Sequence, residues 1–597
     1  MSDKVAAPAA VSTMDEKEAP SATIIDGSPV EYNVSASTLA KTWSKKALYA
    51  AFTCLFLMNL FMTFATYTQN VYEPYATSYF KGHSLIATFN IIHGLVRIVG
   101  YPLLAKTADH FGRPAGFAIA ASLLSLANVL YASCNKIDIF LSGGIFEALG
   151  DSWWNITQQI FIADITSFIN RGILFTLPES LSAIPTLYAG SYLGEHMLLN
   201  SSWRWGYGMW AVILPFCALP TVALMLWMDR RAKKRGIVKE RVSLLHDAPS
   251  GASWGRKAYQ VLWIELDLPG AFLLMAGLAM TLLPISIAGK NKTDRWKRPS
   301  SIILLVLGVL TFAAFLVWDG KFAKKPIIPF RMVKERNVIL GCAAACTIAM
   351  SDAAYRTFLS SFLQVAGGFS PGNATRIDNA QRVAYNVGAI VAGISLKYGK
   401  NTKPFIALGF LMIILANGLP IYLTNMHDTS VGNEVSFITV KTILGVGRGF
   451  AQVPIQVALQ ASVPHSEVGV ATAVYLSSLG FGSNMGNSIG GAIWNGILPN
   501  KLRTYLPEPT KGAARAIFGS IVTAKKYKVG TAARDAINLG YRETQRSLSI
   551  ASLCLSIPLF VIIIFMKNVK LEEEDKVRDE AAAEELKLAE KIRGNES

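Results

Sequence analysis

Glu147 and Asp151 lie four residues apart in a stretch that is otherwise mostly apolar. On a helix that spacing puts both carboxylates on one face. Two carboxylates so close disfavour joint ionisation, which suits them to take up and release a proton. Glu179 stands in the next apolar stretch. His93 and Arg97 share a face in an earlier one, and Arg448 lies in a later one. Ionisable groups inside apolar spans are costly, and by default they mark a pathway or a proton relay. Asp352 with Arg356, and Asp378 with Arg382, are opposite charges at the same spacing and are expected to neutralise each other in place. No nucleophile–base pair and no His/Cys set with metal-ligand spacing accompanies these groups. Cys54, Cys134, Cys217, Cys342, Cys346 and Cys554 lie in or beside apolar stretches and are expected as small packing residues. An enzyme, a metal centre and a resident cofactor are therefore not expected.

The elements that must carry these groups are membrane spans. From Ala47 to Met566 the chain runs through about fourteen apolar stretches, most near 20 residues, and about 20 residues of helix cross a bilayer. Lipid satisfies no backbone hydrogen bonds, so the spans must be helices. They are expected at 47–66, 84–104, 115–133, 139–162, 172–195, 206–228, 268–288, 300–318, 338–362, 377–396, 404–424, 435–458, 468–496 and 548–566. With so little chain outside the membrane, the expected role is transport.

The net charge of +17 does not call for a nucleic-acid partner. Most basic residues fall in loops that alternate with spans, where they set orientation. An amino terminus inside sends Lys45, Lys46, Lys106, Arg113, Arg171, the 230–241 loop, Lys321–Arg336 and Lys397–Lys403 to the cytosol. Residues 1–46 are then expected as a disordered cytosolic tail, 229–267 as a cytosolic central loop and 567–597 as a second tail. Asn200, Asn291 and Asn373 each begin a glycosylation-type triplet on the outer side. Lys290–Arg298 and the loop 499–547 are basic yet external, against the charge rule.

A repeat supports this order. The turn after the second span carries Phe111-Gly112-Arg113, and the turn after the tenth carries Tyr398-Gly399-Lys400. Each joins the second and third helices of a six-helix half if 47–228 and 338–566 are the halves and 268–318 is an inserted hairpin. Two such halves are the usual build of an alternating-access carrier.

Asp109-His110-Phe111-Gly112-Arg113 resembles the cytosolic gate motif of the major facilitator superfamily, with Ala105 at the usual first glycine and His110 at the usual arginine. A second stretch, Ile162-Ala-Asp164-Ile-Thr166-Ser167-Phe-Ile-Asn-Arg171-Gly172, resembles the loop after the fourth span in the fungal siderophore–iron transporters of that superfamily. Trp203-Arg204-Trp205-Gly206-Tyr207-Gly208, Phe322-Ala-Lys-Lys-Pro326 with Pro329-Phe330, Gly490-Gly491-Ala-Ile-Trp494 and Tyr541-Arg-Glu-Thr-Gln545-Arg546 follow in the family's order.

The resemblance implies an all-α polytopic membrane protein of the major facilitator fold, importing ferric siderophores by proton symport. Iron would enter already enclosed by the siderophore's own oxygens, so the carrier needs no metal ligands. Asp109, Gly112 and Arg113 are the expected cytosolic gate, and Glu147, Asp151 and Glu179 the proton-coupling candidates. In the external loop, Phe518, Tyr527 and Tyr541 could offer aromatic faces to the siderophore, while Arg534 and Arg546 meet its oxygens. A monomer in the bilayer is expected, at the plasma membrane or in an endosomal or vacuolar membrane. The rival reading is a proton-coupled exporter of drugs or other organic ions. Such exporters carry a Gly-rich Gly-Pro run in span five, and Leu177–Gly190 contains none.

Overall fold

A computed structural model of the chain describes residues 45–80, 86–111, 113–165, 168–234, 254–287, 299–324, 334–424, 432–463 and 468–570. Among them, fourteen helices are 19 residues or longer. The first six are α1 (Lys45–Tyr79), α2 (Ile86–Phe111), α3 (Arg113–Ser133), α4 (Ile137–Ile165), α5 (Phe168–Asn200) and α6 (Trp203–Lys234). A pair follows, α7 (Leu268–Ile287) and α8 (Pro299–Val317). The last six are α9 (Arg336–Arg356), α10 (Pro371–Gly399), α11 (Lys403–Leu423), α12 (Glu434–Ala461), α13 (Val468–Tyr505) and α14 (Ala532–Ser556). Short helices extend α9 over Leu359–Val365 and α14 over Pro558–Phe565. Over the described residues, eight helices are long and apolar enough to cross a membrane. α10 and α12 fall short of that apolarity because they carry Asp378, Arg382, Lys441 and Arg448.

The helices start where the sequence provides caps. Ser370 accepts a hydrogen bond from the Asn373 amide ahead of Pro371 in α10, Asn433 one from Ser436 in α12, and Thr531 one from Arg534 in α14. Lys400 closes α10 in the left-handed conformation, φ 56°. Two boundaries differ from expectation by more than three turns: α14 starts at Ala532 rather than near residue 548, and α1 runs to Tyr79 rather than ending near residue 66. Its outer part is polar, yet Thr68, Gln69, Thr77 and Ser78 are buried. Those groups face other helices instead of lipid, so the helix continues where an apolar count would stop it.

In the first half, α1 packs on α5 and α6, α3 on α4 and α6, and α2 on α4. In the second, α9 packs on α13 and α14, and α12 on α10 and α11. The halves meet along two seams, α2 against α13 and α5 against α10. If α9–α14 repeats α1–α6, α13 is the counterpart of α5 and α10 that of α2. Exchanging the halves then turns one seam into the other, as the turn repeat anticipates. The α7–α8 hairpin lies over the first seam: Leu274, Leu278 and Leu282 pack with Ile91, Leu95 and Ile98, and Phe481 and Met485 pack onto the same cluster. Ser488 Oγ donates to the Leu282 carbonyl at 3.0 Å, tying the hairpin to α13.

Small residues set how closely α13 approaches α9. Gly482, Gly486 and Gly490 recur every fourth residue and face the backbone of Cys346, Met350 and Ala354. Such stripes let helix backbones approach closely where no hydrophobic force drives association.

Candidate functional site

Between the halves lies a cavity of about 480 Å³ lined by α1, α2, α9, α10, α12 and α13. Its size falls within the roughly 300–1,000 Å³ of ligand pockets. The wall is polar: Asn70, Asn90 and Asn487 offer amides, Thr357, Ser360, Ser361 and Ser483 hydroxyls.

Charged groups come from both halves. On the first, Arg97 from α2 pairs with Asp151 from α4. Glu147 is held differently: Tyr131 Oη donates to its Oε2 at 2.6 Å, and His93 Nε2 stands 3.9 Å from the same oxygen. The proposed pair of carboxylates is thus divided, one against a guanidinium and one against a phenol and an imidazole. On the second half, Arg448 Nη1 donates to Asp352 Oδ2 at 2.8 Å, and Arg356 Nε to Asp378 Oδ2 at 2.9 Å. Lys441 Nζ donates to Asp378 Oδ1 at 3.1 Å and to Gln381 Oε1 at 3.2 Å, and Gln381 Nε2 donates to Asp352 Oδ1 at 2.9 Å. The expected pairing along each helix is therefore replaced by pairing between helices. A guanidinium on one helix meets a carboxylate on the facing helix, which joins α9, α10 and α12 into one network.

Sequence reasoning missed Glu73. It lines the cavity from α1, and its Oε1 is buried with no hydrogen-bond partner among the described residues. With the first span expected at 47–66, Glu73 falls in a loop. The available signal was the absence of any glycine from Ala65 to Tyr79, against which Asn70 and Pro74 read as turn formers. Of the other expected coupling and gate residues, Glu179 lies on the helical backbone of α5, with its side chain outside the described residues. Asp109 is likewise described only as backbone, Gly112 lies outside the described residues, and Arg113 opens α3.

At the end of the molecule assigned as external, contacts join the halves. Tyr75 Oη donates to Gln364 Oε1 at 2.9 Å, and the Ile521 amide to Ser78 Oγ at 3.1 Å. The Arg376 guanidinium sits 4.8 Å from the centre of the Tyr192 ring. Burial and the neighbouring Arg534 push the Lys525 amine below the ordinary lysine range, and Glu195 of α5 opposes them from the other half.

The 499–547 segment is folded, and this corrects the expectation of Phe518, Tyr541 and Arg534 as exposed capture groups. Short helices at Glu508–Lys511, Ala514–Gly519 and Ile521–Lys525 pack as a strap over α9, α13 and α14. Phe518 and Tyr541 are buried in that core and Tyr527 packs onto it. Trp494 stacks on Phe358 at 4.3 Å and meets the Tyr541 ring edge-on at 5.3 Å. Buried Arg534 spends its donors on the carbonyls of Ala524, Tyr527 and Val365. Arg546 is half-buried in α14. A large aromatic ring gains more from burial than from exposure to water, so Phe518 and Tyr541 hold the strap down as core groups.

The family motifs serve the same end of the molecule. Arg204 donates to the Cys134 carbonyl at 2.9 Å and lies over the rings of Tyr79 and Trp203, while Gly206 admits Tyr72 beside α6. Gln545 Nε2 donates to the Tyr355 carbonyl, and Glu543 takes Lys501 at 2.6 Å and Tyr505 at 2.8 Å.

Comparison with known proteins agrees with this architecture. The sequence pattern of the Major Facilitator Superfamily matches residues 55–487. The siderophore iron transporter mirC of Emericella nidulans is 34% identical over 541 residues, covering 90% of this chain and 87% of that protein. The MFS siderochrome iron transporter C of Aspergillus fumigatus is 32% identical, covering 91% and 88%. Siderophore iron transporter 2 of Schizosaccharomyces pombe is 29% identical over 551 residues, covering 90% of this chain and 90% of that protein. Among solved structures, the peptide transporter POT in complex with sulfate superposes with a TM-score of 0.56 at 15% identity, covering 89% of this chain and 99% of that one. A bacterial homolog of the human lysosomal transporter Spinster, inward-facing and unoccupied, gives 0.54 at 14%, covering 88% and 98%. At such identities these two share the fold alone.

Proposed function

Because the chain belongs to the fungal siderophore–iron transporter family of the Major Facilitator Superfamily, and so is a multi-pass membrane transporter and not an enzyme, we propose that it imports ferric siderophores by proton symport. The observation that carries this reading is the cavity between the halves, with carboxylates on both walls and hydroxyls and amides around them. A ferric siderophore presents carbonyl and amide groups around an enclosed iron. Asn70, Asn90, Asn487 and the hydroxyls beside them are suited to bind such a shell without touching the metal.

In this reading the carrier alternates. The outer contacts of Tyr75 and Ser78 open to admit substrate and close behind it, and release follows at the cytosolic end. Protons driven inward neutralise carboxylates of the cavity and tie closure to loading. The carrier acts as a monomer, at the plasma membrane. The test is uptake of radio-iron bound to a trihydroxamate, a tricatecholate and a carboxylate siderophore, by cells that express this chain and lack their own carriers. Uptake of at least one that rises with external acidity and collapses with a protonophore is expected. Efflux of organic cations without siderophore uptake would favour the exporter reading.

A further inference from the structure

Glu73 occupies a position that no other carboxylate of the cavity shares. Asp352 and Asp378, the other two carboxylates of its lining, each hold a guanidinium or an ammonium; outside the lining, Asp151 holds a guanidinium and Glu147 a phenol. Glu73 has one oxygen buried with no donor among the described residues. It also lies on α1 between two contacts that join the halves. Asn70 donates to Asn379 at 3.4 Å just before it, and Tyr75 donates to Gln364 at 2.9 Å just after it.

We propose that Glu73 is a proton-binding site whose occupancy holds the outer face shut, which rests on the proton-symport reading above. The groups facing Glu73 come from five helices: Tyr131 of α3, Glu147 of α4, Tyr207 of α6, Arg356 of α9 and Asp378 of α10. Arg356 is the one cation in that set, and its Nε is already committed to Asp378. An ionised Glu73 would thus stand near Glu147 and Asp378 with Arg356 as the one cation facing it, because the other guanidinia of the cavity, Arg97 and Arg448, are held by Asp151 and Asp352. Burying such a charge without a dedicated partner is costly.

Two arrangements relieve that cost. Glu73 can carry a proton, which leaves a neutral acid compatible with the closed state. Or it can remain ionised while the outer contacts on either side of it part and water reaches it. A proton taken from the outer side therefore favours closure, and its loss toward the cytosolic side permits the outer face to reopen. The proton moves from bulk water to a carboxylate oxygen and back, and no covalent bond of the substrate changes.

The closure can be read without substrate. Tyr79, at the end of α1, and Val529, in the strap of the other half, are 61% and 86% exposed and lie outside the cavity. Spin labels at Tyr79→Cys and Val529→Cys, with the six native cysteines replaced, report the outer gap in the full chain in lipid nanodiscs. The expected result is a short distance at acidic pH that lengthens as pH rises. Glu73→Gln, which imitates the protonated acid, should keep the short distance at every pH, while Glu73→Asp should keep a pH response. A pH-dependent distance in the Glu73→Gln chain equal to that of the parent, or a parent distance that ignores pH, would overturn the proposal.

Transport supplies the second readout, with radio-iron-loaded desferrioxamine B as the probe in proteoliposomes. With an inward gradient of about one pH unit, one coupled proton supports about tenfold accumulation. The parent should approach that ratio, and Glu73→Gln should only equilibrate the probe. Accumulation by Glu73→Gln matching the parent would overturn the proposal even if transport itself is normal. A parent that moves no siderophore, yet shows the expected distance changes and their loss in Glu73→Gln, would leave the proton site standing and remove the siderophore reading.

Discussion

Arg356 bonds Asp378 on the facing helix, Nε to Oδ2 at 2.9 Å, and Asp352, four residues before it on its own helix, is taken by Arg448. The two pairs cross between α9, α10 and α12, so each helix depends on a charge from another.

That crossing predicts an asymmetric double-mutant cycle. Asp352→Asn leaves Arg448 without its carboxylate in a largely buried site, and breaking such a pair costs about 3–5 kcal/mol. Removing both charges with Asp352→Asn and Arg448→Gln should recover much of the loss. Thermal unfolding of the purified chain in detergent gives the coupling. Additive losses would show that the pair is not an energetic unit.

In the first half the prediction separates two carboxylates. Asp151→Asn removes the partner of Arg97 and should lower both folded yield and accumulation of ferric siderophore. Glu147→Gln can still accept from Tyr131, so surface level should stay normal while accumulation falls. Surface biotinylation beside uptake distinguishes them. Parental accumulation in Glu147→Gln would return that residue to a structural role.

For the strap, the expected effect is on stability more than on affinity. Tyr541→Ala opens a cavity beneath Trp494, and such core truncations cost about 3–5 kcal/mol. Phe518→Ala acts on the same core. Melting temperature should fall in both, while the apparent KM of molecules that remain folded changes little. A raised KM at unchanged melting temperature would restore these rings to ligand capture.

Helix approach gives a further test. Gly486→Ala brings a Cβ against the Met350 carbonyl, so α13 must move away from α9. Overpacking of this kind costs about 1–3 kcal/mol. Gly496, whose added Cβ would meet open space, is the matched control: Gly496→Ala should be neutral in the same melting assay.

How far the sequence could be read depends on the range of the interaction. Apolar runs report burial in lipid directly, so the helices and the inserted hairpin follow from residue type alone. The triplets Phe111-Gly112-Arg113 and Tyr398-Gly399-Lys400 are legible as a repeat in the sequence itself, and in the second Lys400 closes α10 in the left-handed conformation. The partners of Asp352 and Asp378 are different: they are 96 and 63 residues away for the Arg448 and Lys441 contacts, and spacing along one helix is silent about the facing one. The same limit hid Glu73, whose polar neighbours signal the edge of the membrane when read one helix at a time. The rings of Phe518 and Tyr541 look available in a basic loop until the short helices and α14 fold them into the core that holds Trp494.

The hairpin makes the two sides of the carrier unequal toward the bilayer. Leu274, Leu278 and Leu282 shield the seam of α2 and α13 from acyl chains, and among the described residues no comparable hairpin shields the seam of α5 and α10. An amphiphilic cargo diverted sideways during the cycle would therefore meet lipid on one flank only.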